Sequence, residues 1–406
     1  MIPFSPPRMD KKIADAVVEA LYSGWITTGP RTKRFEKMLT NYGGQVTTLC
    51  VSSASAGLEL MLRWFGLKEG DEVIVPAYTY CATANVVMHC GARVVFVDIG
   101  DDFNISVKAI EDAITPRTKV IMPVDIAGFP CNYDEINALV AKPEICTLFK
   151  PESPQQVLLG RILVLSDAAH SIGAIYHGKR TGSLTDITVY SFHAVKNLTT
   201  AEGGAVCLNL PAPFDNEAIY RELNAKALHG QTKDALAKTQ IGSWRYDIIE
   251  PGYKYNMTDL QAAIGIVELE RYDTDMLPRR KAIFHRYAKA LSTYTWAQIP
   301  SFETPDKTTS YHVFPLRIKG ISEEQRDKII TGIFKREVAV NVHFVPLPMM
   351  TYYRDAGYRM PDYPVAYDNY SREITLPVYY DLTDEMADEV IRAVVEAVEA
   401  VEEVVR

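Results

Sequence analysis

The chain has 406 residues, of which 47% are hydrophobic, and it carries a formal net charge of -8. This length and composition allow a full hydrophobic core, predict two domains and exclude a small disulfide-stapled fold. The negative charge argues against broad nucleic-acid binding, which requires clustered positive charge, so any phosphate should be bound locally.

The sequence lacks a membrane-spanning pattern. No stretch approaches ~20 consecutive apolar residues, and Met1–Asp10 is proline-bearing rather than basic and then apolar. We therefore expect a soluble cytoplasmic protein without a membrane partner. The six scattered cysteines include no C-x-x-C pair and have no nearby histidine cluster suited to zinc. Buried reduced thiols are favoured, and no metal site is predicted.

The first two-thirds of the chain alternate amphipathic helical stretches with short apolar runs. This pattern is typical of parallel strands joined by crossover helices and predicts an α/β fold with a mostly parallel seven-stranded sheet. Because the carboxyl ends of such strands form the ligand crevice, we expect the chemistry just after these runs. The predicted strands are Val46–Val51, Glu72–Pro76, Arg93–Val97, Val120–Val124, Ile162–Ser166, Thr188–Phe192 and Ala205–Leu208.

Two later features complete the predicted architecture. Segment Ala141–Gly160 interrupts the alternation with three prolines and two adjacent glutamines, and it predicts a surface excursion to which we attach no function. Around Pro278 a smaller α+β domain is predicted to begin, which gives a large domain 1–277 and a small domain 278–406. This second domain would contain a strand at His312–Ile318 and an amphipathic helix at Met386–Val404.

Segment Val51–Gly57 is rich in serine, follows a predicted strand and opens the helical run Leu58–Trp64. Free backbone N–H groups and the helix dipole at such a helix start bind anions, and a single phosphate would suit the site. A serine-rich helix cap is the alternative interpretation.

Segment Pro76–Thr83 follows another predicted strand and presents two aromatic side chains. Tyr80 could stack on the face of a planar cofactor ring. A tyrosine in this position more often belongs to the core, so the role of Tyr80 depends on its neighbours.

An aspartate and a histidine follow the predicted strand that ends at Ser166. Asp167 could keep a pyridine nitrogen protonated, and a pyridinium ring is an electron sink for a carbanion next to an imine. Three residues later, His170 could reach the phenolic oxygen of that ring or orient the aspartate. A helix-capping aspartate beside a packed histidine is the alternative.

The most informative segment is Ser191–Asn197, which is followed by Glu202-Gly203-Gly204. A lysine just past a strand end, in a turn region closed by two glycines, can project its amine into the crevice. This geometry suits Schiff-base chemistry, provided that burial lowers the pKa of the amine and other groups hold the cofactor. Taken alone, Lys196 could be a solvated surface lysine, so the assignment depends on its neighbours.

Five motifs in order resemble the DegT/DnrJ/EryC1/StrS family of nucleotide-sugar aminotransferases. The resemblance extends from Gly24 to His343 and covers nearly the whole chain. The segment Ala141–Gly160 departs from the compact members of that family and leaves the nearby loop geometry open. The motifs are Ser55-Ala56-Gly57, Pro76-x-Tyr78-Thr79-Tyr80, Asp167-Ala168-Ala169-His170, Ser191–Asn197 with Glu202-Gly203-Gly204, and Gly252–Asp259.

The resemblance implies a type I aminotransferase fold, pyridoxal 5'-phosphate as cofactor and a homodimer with shared active sites. Catalysis would use Lys196 as the Schiff-base lysine and proton shuttle, Asp167 at the pyridine nitrogen and His170 near the ring oxygen. Tyr80 would stack on the ring, and Ser55, Ala56 and Ser191 would bind the phosphate together with Asn256 of the partner chain. His343 would face the sugar, and His229 is a weaker candidate at the substrate mouth.

The resemblance also implies the reaction. It is transfer of an amino group from an amino acid, expected to be glutamate, to a nucleotide-linked keto-sugar. Segments Ser191–Asn197 and Pro251–Asp259 most resemble the branch that aminates C4 of UDP-linked 4-keto sugars, including the arabinose aminotransferase of lipid A modification. The alternatives are a sugar dehydratase of the same family, in which histidine replaces Lys196, and a non-catalytic regulatory or scaffold protein.

Overall fold

The computed structural model describes residues 1–232 and 245–405. Its strands are β1 Thr47–Val51, β2 Glu72–Pro76, β3 Arg93–Val97, β4 Thr118–Ile121, β5 Leu163–Asp167, β6 Ile175–Tyr176, β7 Lys179–Arg180, β8 Ile187–Ser191, β9 Gly204–Leu208, β10 Ala297–Gln298, β11 Lys307–Thr308, β12 Phe314–Ile318 and β13 Glu373–Leu376.

The helices surround and connect these strands. They are α1 Lys11–Tyr22, α2 Pro30–Gly43, α3 Ala54–Trp64, α4 Cys81–His89, α5 Val107–Ala113, α6 Tyr133–Val140, α7 Pro143–Leu148, α8 Pro154–Leu159, α9 Asn216–Lys226, α10 Asp259–Glu270, α11 Leu277–Leu291, α12 Glu323–Lys335, α13 Thr351–Asp355, α14 Pro364–Arg372 and α15 Asp384–Val405.

Seven of the described strands form one sheet in the order β1-β9-β8-β5-β4-β2-β3. The pairs β2-β3, β2-β4, β4-β5 and β5-β8 are parallel, and β9 is antiparallel to both β1 and β8. The first residue of β9, Gly204, pairs with the last residues of β1 and β8, Val51 and Ser191. The strand ends that precede the predicted motifs therefore share one edge of the sheet, where α/β folds bind ligands.

The predicted mostly parallel seven-stranded sheet is confirmed, and β2 and β3 have the predicted bounds. The largest difference is β4, which ends at Ile121 and not at Val124. Pro123 has no N–H to donate to a neighbouring strand. Its carbonyl accepts a hydrogen bond from the Asp167 N–H at 2.9 Å, and Val124 forms only an isolated bridge with Asp167.

A second core lies between an antiparallel sheet and helices from the C-terminal part of the chain. The sheet has the order β10-β12-β13, and α11, α12 and α15 contribute buried side chains to this core. The predicted strand at His312–Ile318 corresponds to β12, which begins at Phe314. Ile2 from the N-terminus also belongs to the second core, so this core includes residues from both ends of the chain.

The predicted C-terminal amphipathic helix is confirmed as α15. Val390, Val394 and Val398 are buried, one turn apart, on the side that faces the second core. The structure begins this helix at Asp384, two residues before the predicted start. Within residues 1–232 and 245–405, no helix combines the length and apolar character needed to cross a membrane.

The segment Ala141–Gly160 contains α7 and α8, two short helices that each begin with a proline. The side chain of Ser153 caps α8, and Gly160 ends it with a left-handed φ of 68°. Two of the three prolines that suggested a loop therefore mark helix starts, because proline is favoured at the first helical position.

Candidate active site

A cavity of about 330 Å³ lies at the shared edge of the sheet. Residues from the C-terminal part of the chain complete the lining, His312 and Val313 just before β12 and His343 and Phe344 before α13. Seven of the predicted site residues line this cavity: Ser55, Tyr80, Asp167, His170, Ser191, Lys196 and His343. The structure therefore brings together side chains that are as far apart in sequence as Ser55 and His343.

Lys196 lies in the turn that follows β8, and its amine is surrounded by protein. This burial lowers the pKa of Lys196 to about 8, and the nearby Asp167 carboxylate opposes that shift. A lysine with a depressed pKa has a larger fraction of nucleophilic free amine at neutral pH. The alternative of a solvated surface lysine is wrong, because Lys196 lines the cavity.

Asp167 is the last residue of β5 and is almost completely buried. Its carboxylate accepts hydrogen bonds from the Thr83 hydroxyl at 2.8 Å and from the Ala169 N–H at 3.2 Å. Burial raises the pKa of Asp167, and these hydrogen bonds and the Lys196 charge act in the opposite direction. A cation in the cavity would pair with this carboxylate and keep it ionised.

His170 is buried, and its Nδ1 atom has no hydrogen-bond partner among the described residues. Its ring lies 4.3 Å from the ring of His312, centroid to centroid. The Nδ1–H of His312 donates a hydrogen bond to the Asn197 amide oxygen at 2.7 Å. Burial, followed by the charges of Lys196 and His343, holds the pKa of His170 well below its usual value. His170 is therefore neutral and offers an unpaired nitrogen.

The anion site predicted after β1 is built around the start of α3. Ser53 caps this helix by accepting a hydrogen bond from the Ala56 N–H at 3.1 Å. The next two residues, Ala54 and Ser55, line the cavity, and the first N–H groups of a helix have no intrahelical partner. A Cβ atom on Gly204 would lie 2.6 Å from the Ala54 nitrogen, so only glycine lets β9 approach this closely.

Tyr80 precedes α4 at the edge of the cavity, and 59% of its surface is exposed. Its ring centroid is 5.8 Å from that of Phe344. This exposure rules out a core role for Tyr80. The buried tyrosine of this motif is Tyr78. An aromatic ring that is exposed inside a cavity can stack on a planar ligand.

Three predicted site residues do not line the cavity of their own chain. The Ala56 N–H donates to the Ser53 hydroxyl, and Ala56 lies outside the cavity lining, whereas Ala54 belongs to it. The phosphate contact of Ala56 remains a prediction. Asn256 donates a hydrogen bond to the Thr28 hydroxyl at 2.8 Å and lies outside the cavity lining. His229 is exposed and also lies outside that lining. The proposed roles of Asn256 and His229 remain predictions.

Sequence reasoning missed several residues that complete the site. They touch the cavity or its lining residues through contacts between distant parts of the chain, which no local motif encodes. Thr83 could have been suspected from its place in the Pro76–Thr83 segment, and Asn197 from the lysine motif. Phe344 directly follows the predicted His343, and no comparable signal marked Phe4 or His312. The missed residues are Phe4, Thr83, Asn197, His312 and Phe344.

The residues present fit pyridoxal phosphate. The cavity combines a buried lysine amine, a buried carboxylate, an unpaired histidine nitrogen and a helix start for a phosphate, and Lys196, Asp167, His170 and Ser55 supply them. This combination defines the cofactor site of a pyridoxal-phosphate enzyme with the type I fold.

Comparisons with known proteins agree with this class. Residues 7–149 and 159–395 match the model of the DegT/DnrJ/EryC1/StrS aminotransferase family. A putative sugar aminotransferase from Streptococcus pneumoniae, solved in its PMP form, is 44% identical with a TM-score of 0.95 and covers 99% of this chain and 100% of its own. The spore coat polysaccharide biosynthesis protein SpsC of Bacillus subtilis is 36% identical over 97% of this chain and 96% of its own length.

A more distant solved relative is PseC of Helicobacter pylori, an aminotransferase involved in the biosynthesis of pseudoaminic acid. It is 26% identical with a TM-score of 0.86 and covers 98% of this chain and 99% of its own. The chain belongs to the DegT/DnrJ/EryC1/StrS aminotransferase family. It is a pyridoxal-phosphate-dependent aminotransferase, which confirms the predicted fold, cofactor and enzyme class.

Proposed function

We propose that this enzyme transfers an amino group from glutamate to a nucleotide-linked keto-sugar, specifically a UDP-linked 4-keto sugar. The product would enter cell-surface polysaccharide or lipid A-type glycan biosynthesis in the cytoplasm. Two relatives support the substrate class, since SpsC is named for spore coat polysaccharide biosynthesis and PseC for pseudoaminic acid biosynthesis.

The observation that carries the proposal is the placement of Lys196 and Asp167 in one cavity with His170, His312 and His343. Burial keeps the pKa of each of these histidines below its usual value. The cavity therefore presents neutral imidazoles. Such groups hydrogen-bond hydroxyl groups, which suits a sugar.

The roles of the chain's own residues follow from this geometry. Bound in the cavity, pyridoxal phosphate would supply an electron sink for the carbon that loses or gains the amino group. Lys196 would hold the cofactor and carry the proton to and from the reacting carbon with its amine. Asp167 would hold the proton on the pyridine nitrogen, and the start of α3 at Ala54 and Ser55 would bind the phosphate.

We further propose a homodimer in which Asn256 reaches the phosphate site of the partner chain. Asn256 is partly exposed and lies next to Thr28, close to an exposed apolar side chain at Ile26. Ile248 and Ile249, which precede Asn256 along the chain, are also exposed. Exposed apolar side chains on both sides of a polar residue favour a buried interface there.

The two half-reactions test the proposed function separately. The holoenzyme is first incubated with glutamate, and the cofactor absorbance should bleach as the cofactor takes up the amino group. A panel of UDP- and dTDP-linked 3-keto and 4-keto sugars is then added, and a UDP-4-keto sugar should restore the absorbance fastest. The Lys196→Ala variant serves as the control that should do neither.

Each other outcome has a defined meaning. Restoration by a dTDP-linked or 3-keto sugar would contradict the specific substrate and retain the class. Bleaching that no keto-sugar reverses would contradict the sugar substrate. A sugar product that lacks a hydroxyl and contains no new amine would indicate the dehydratase instead.

A further inference from the structure

His343 is held in one orientation at the cavity wall. Its Nδ1 atom lies 3.0 Å from the Thr375 hydroxyl, and its ring stacks on Phe4 with centroids 5.5 Å apart and planes at 18°. The backbone N–H of His343 lies 3.1 Å from the Thr375 hydroxyl oxygen and 3.2 Å from a Glu373 carboxylate oxygen. The His343 carbonyl accepts a hydrogen bond from Tyr78 at 2.5 Å. The Nε2 atom alone has no partner among the described residues.

The hydrogen bonds of Thr375 determine where the proton of His343 lies. When Glu373 is ionised, the Thr375 hydroxyl donates to its carboxylate at 2.5 Å. A hydroxyl has one proton to donate, so Thr375 can only accept from the Nδ1 of His343. Nδ1 therefore carries the ring proton, and Nε2 keeps a lone pair. Burial, followed by the Lys196 charge, lowers the pKa of His343 to about 4, so the ring stays neutral.

Glu373 places a carboxyl group in the protein interior, where packing alone does not require one. Its side chain is fully buried at the start of β13, and it makes no ion pair within the described parts of the chain. Burying a carboxyl group costs stability unless hydrogen bonds compensate, and an apolar residue would avoid that cost. The two bonds that Glu373 accepts both lead to His343, directly from its N–H and through Thr375.

We propose that Glu373 and Thr375 are positioning residues that fix His343 in its Nδ1–H tautomer, so that Nε2 accepts a hydrogen bond from a hydroxyl group of the sugar substrate. This inference rests on the proposed function, because it assigns one contact to the sugar. The carboxylates of glutamate have no proton to donate to Nε2, and its amino group would be engaged at the cofactor. The relay should therefore affect the sugar half-reaction and leave the glutamate half-reaction unchanged.

The tautomer can be observed in the holoenzyme without a substrate. We would label the protein with ¹⁵N-histidine and assign the His343 signals by their loss in a His343→Gln variant. Burial raises the pKa of Glu373 to about 8. The spectrum should therefore be recorded near pH 9, where the Glu373 carboxyl is ionised and can accept the Thr375 proton. The other titratable or charged groups that face Glu373 are Arg326, Arg317 and Tyr78.

The wild-type protein should show a protonated Nδ1 and an unprotonated Nε2 at His343. Thr375→Val removes the hydroxyl at nearly constant shape and should release this preference, whereas Thr375→Ser should keep it. A wild-type signal with the proton on Nε2 would overturn the relay. This readout does not depend on the identity of the substrate.

The kinetic test separates the sugar from the amino donor. Near pH 9, where Glu373 is ionised, Thr375→Val should lower kcat/KM for the keto-sugar by about tenfold, mainly through a higher KM, because it misdirects one hydrogen bond. Its rate with glutamate should match that of the wild type, and Thr375→Ser should restore the sugar reaction. Equal losses in both half-reactions would indicate a structural defect and contradict the proposal.

Failure of the proposed function can be distinguished from failure of the Glu373–Thr375–His343 relay. If the wild-type enzyme reacts with glutamate and accepts no nucleotide-linked keto-sugar, the sugar substrate and the hydroxyl contact are both wrong. The tautomer measurement then still decides whether the relay exists. A correct tautomer combined with normal sugar kinetics in Thr375→Val would overturn the contact alone.

Discussion

At the scale of single residues, Lys196 is the group on which the assigned chemistry depends most. In the proposed mechanism its amine would provide both the covalent attachment of the cofactor and the proton transfer. Lys196→Ala should therefore reduce turnover by at least about 10³-fold. The fold should survive, because the amine fills no part of the hydrophobic cores. Steady-state rates and a thermal unfolding curve measure the two effects, and near-normal turnover would refute the assignment.

The Asp167→Asn variant distinguishes a catalytic role of this carboxylate from a structural one. Asp167→Asn is nearly isosteric and can still accept the hydrogen bond from Thr83. A neutral amide cannot hold the pyridinium proton, so we expect at least about a 100-fold loss of turnover with little change in cofactor binding. Titration with the cofactor and single-turnover rates test both parts. Activity within a few-fold of the wild type would mean that Asp167 is only structural.

Glu373 predicts a pH dependence of stability. Burial raises the pKa of Glu373 from 4.5 to about 8, so the folded state binds this proton more tightly than the unfolded state. The resulting stabilisation is complete below about pH 4.5 and is lost as the pH rises through about 8. Each pKa unit corresponds to about 1.4 kcal/mol, so the loss should be on the order of a few kcal/mol.

The measurement compares urea unfolding of the wild type and Glu373→Gln, whose amide cannot ionise. The free energy of unfolding of the wild type should fall relative to the variant between roughly pH 5 and pH 9. Glu69→Gln, at an exposed position, is the control and should show no such difference. A constant gap between the wild type and Glu373→Gln across this range would contradict the raised pKa.

At the scale of elements, the phosphate site depends on how closely β9 approaches the start of α3. In Gly204→Ala the new Cβ would lie 2.6 Å from the Ala54 nitrogen and 2.7 Å from the Ser53 carbonyl carbon. These are backbone atoms, so the helix start itself must move. We expect the dissociation constant of the cofactor to rise at least about tenfold, which corresponds to about 1.4 kcal/mol.

A matched control distinguishes this effect from a general loss of glycine. At Gly100 the nearest atom to an added Cβ is the Asp102 side chain at 3.0 Å, which can rotate away. Gly100→Ala should therefore bind the cofactor as the wild type does in an absorbance titration. Normal cofactor affinity in Gly204→Ala would show that the start of α3 tolerates the shift and does not set the phosphate affinity.

The elements also show how far the sequence leads. Apolar periodicity located all seven strands of the large sheet, because burial on both faces leaves a strong local signal. The strand ends then placed Asp167 and Lys196 correctly at the crevice. Thr83, His312 and Glu373 were not predicted as site residues, because their roles depend on contacts with distant residues. Thr83 bonds to Asp167, 84 positions away. His312 packs on His170, and Glu373 bonds to His343 from another element.

At the scale of the whole molecule, we propose that the chain divides at residues 277 and 278 into a large and a small domain. The N-terminus ties the two together. The Ile2 N–H donates to the Glu337 carbonyl at 2.7 Å, beside the second core, and Phe4 and Ser5 then line the cavity. Conversely, Tyr353 lies beyond residue 278 and packs into the first core.

The last prediction concerns two copies of the chain. Within one chain Asn256 contacts Thr28 and does not reach the cavity. It is also not the cap of α10, because Thr258 and Gln261 form that cap, so the interpretation as a helix cap is wrong. Two explanations remain: Asn256 braces Thr28 within its chain, or it completes the phosphate site of a partner. In a C2 dimer the second explanation applies to both sites.

Complementation between two inactive variants separates these explanations. In a heterodimer of Lys196→Ala and Asn256→Ala chains, one site would receive Lys196 from one chain and Asn256 from the other and would be intact. The second site would lack both. After full subunit exchange in an equal mixture, half of the dimers are heterodimers, so activity should recover to about one quarter of the wild-type value. Differently tagged chains that co-purify establish that exchange has occurred. If the exchanged mixture shows only the sum of the two parental activities, Asn256 acts within its own chain and the shared site is wrong.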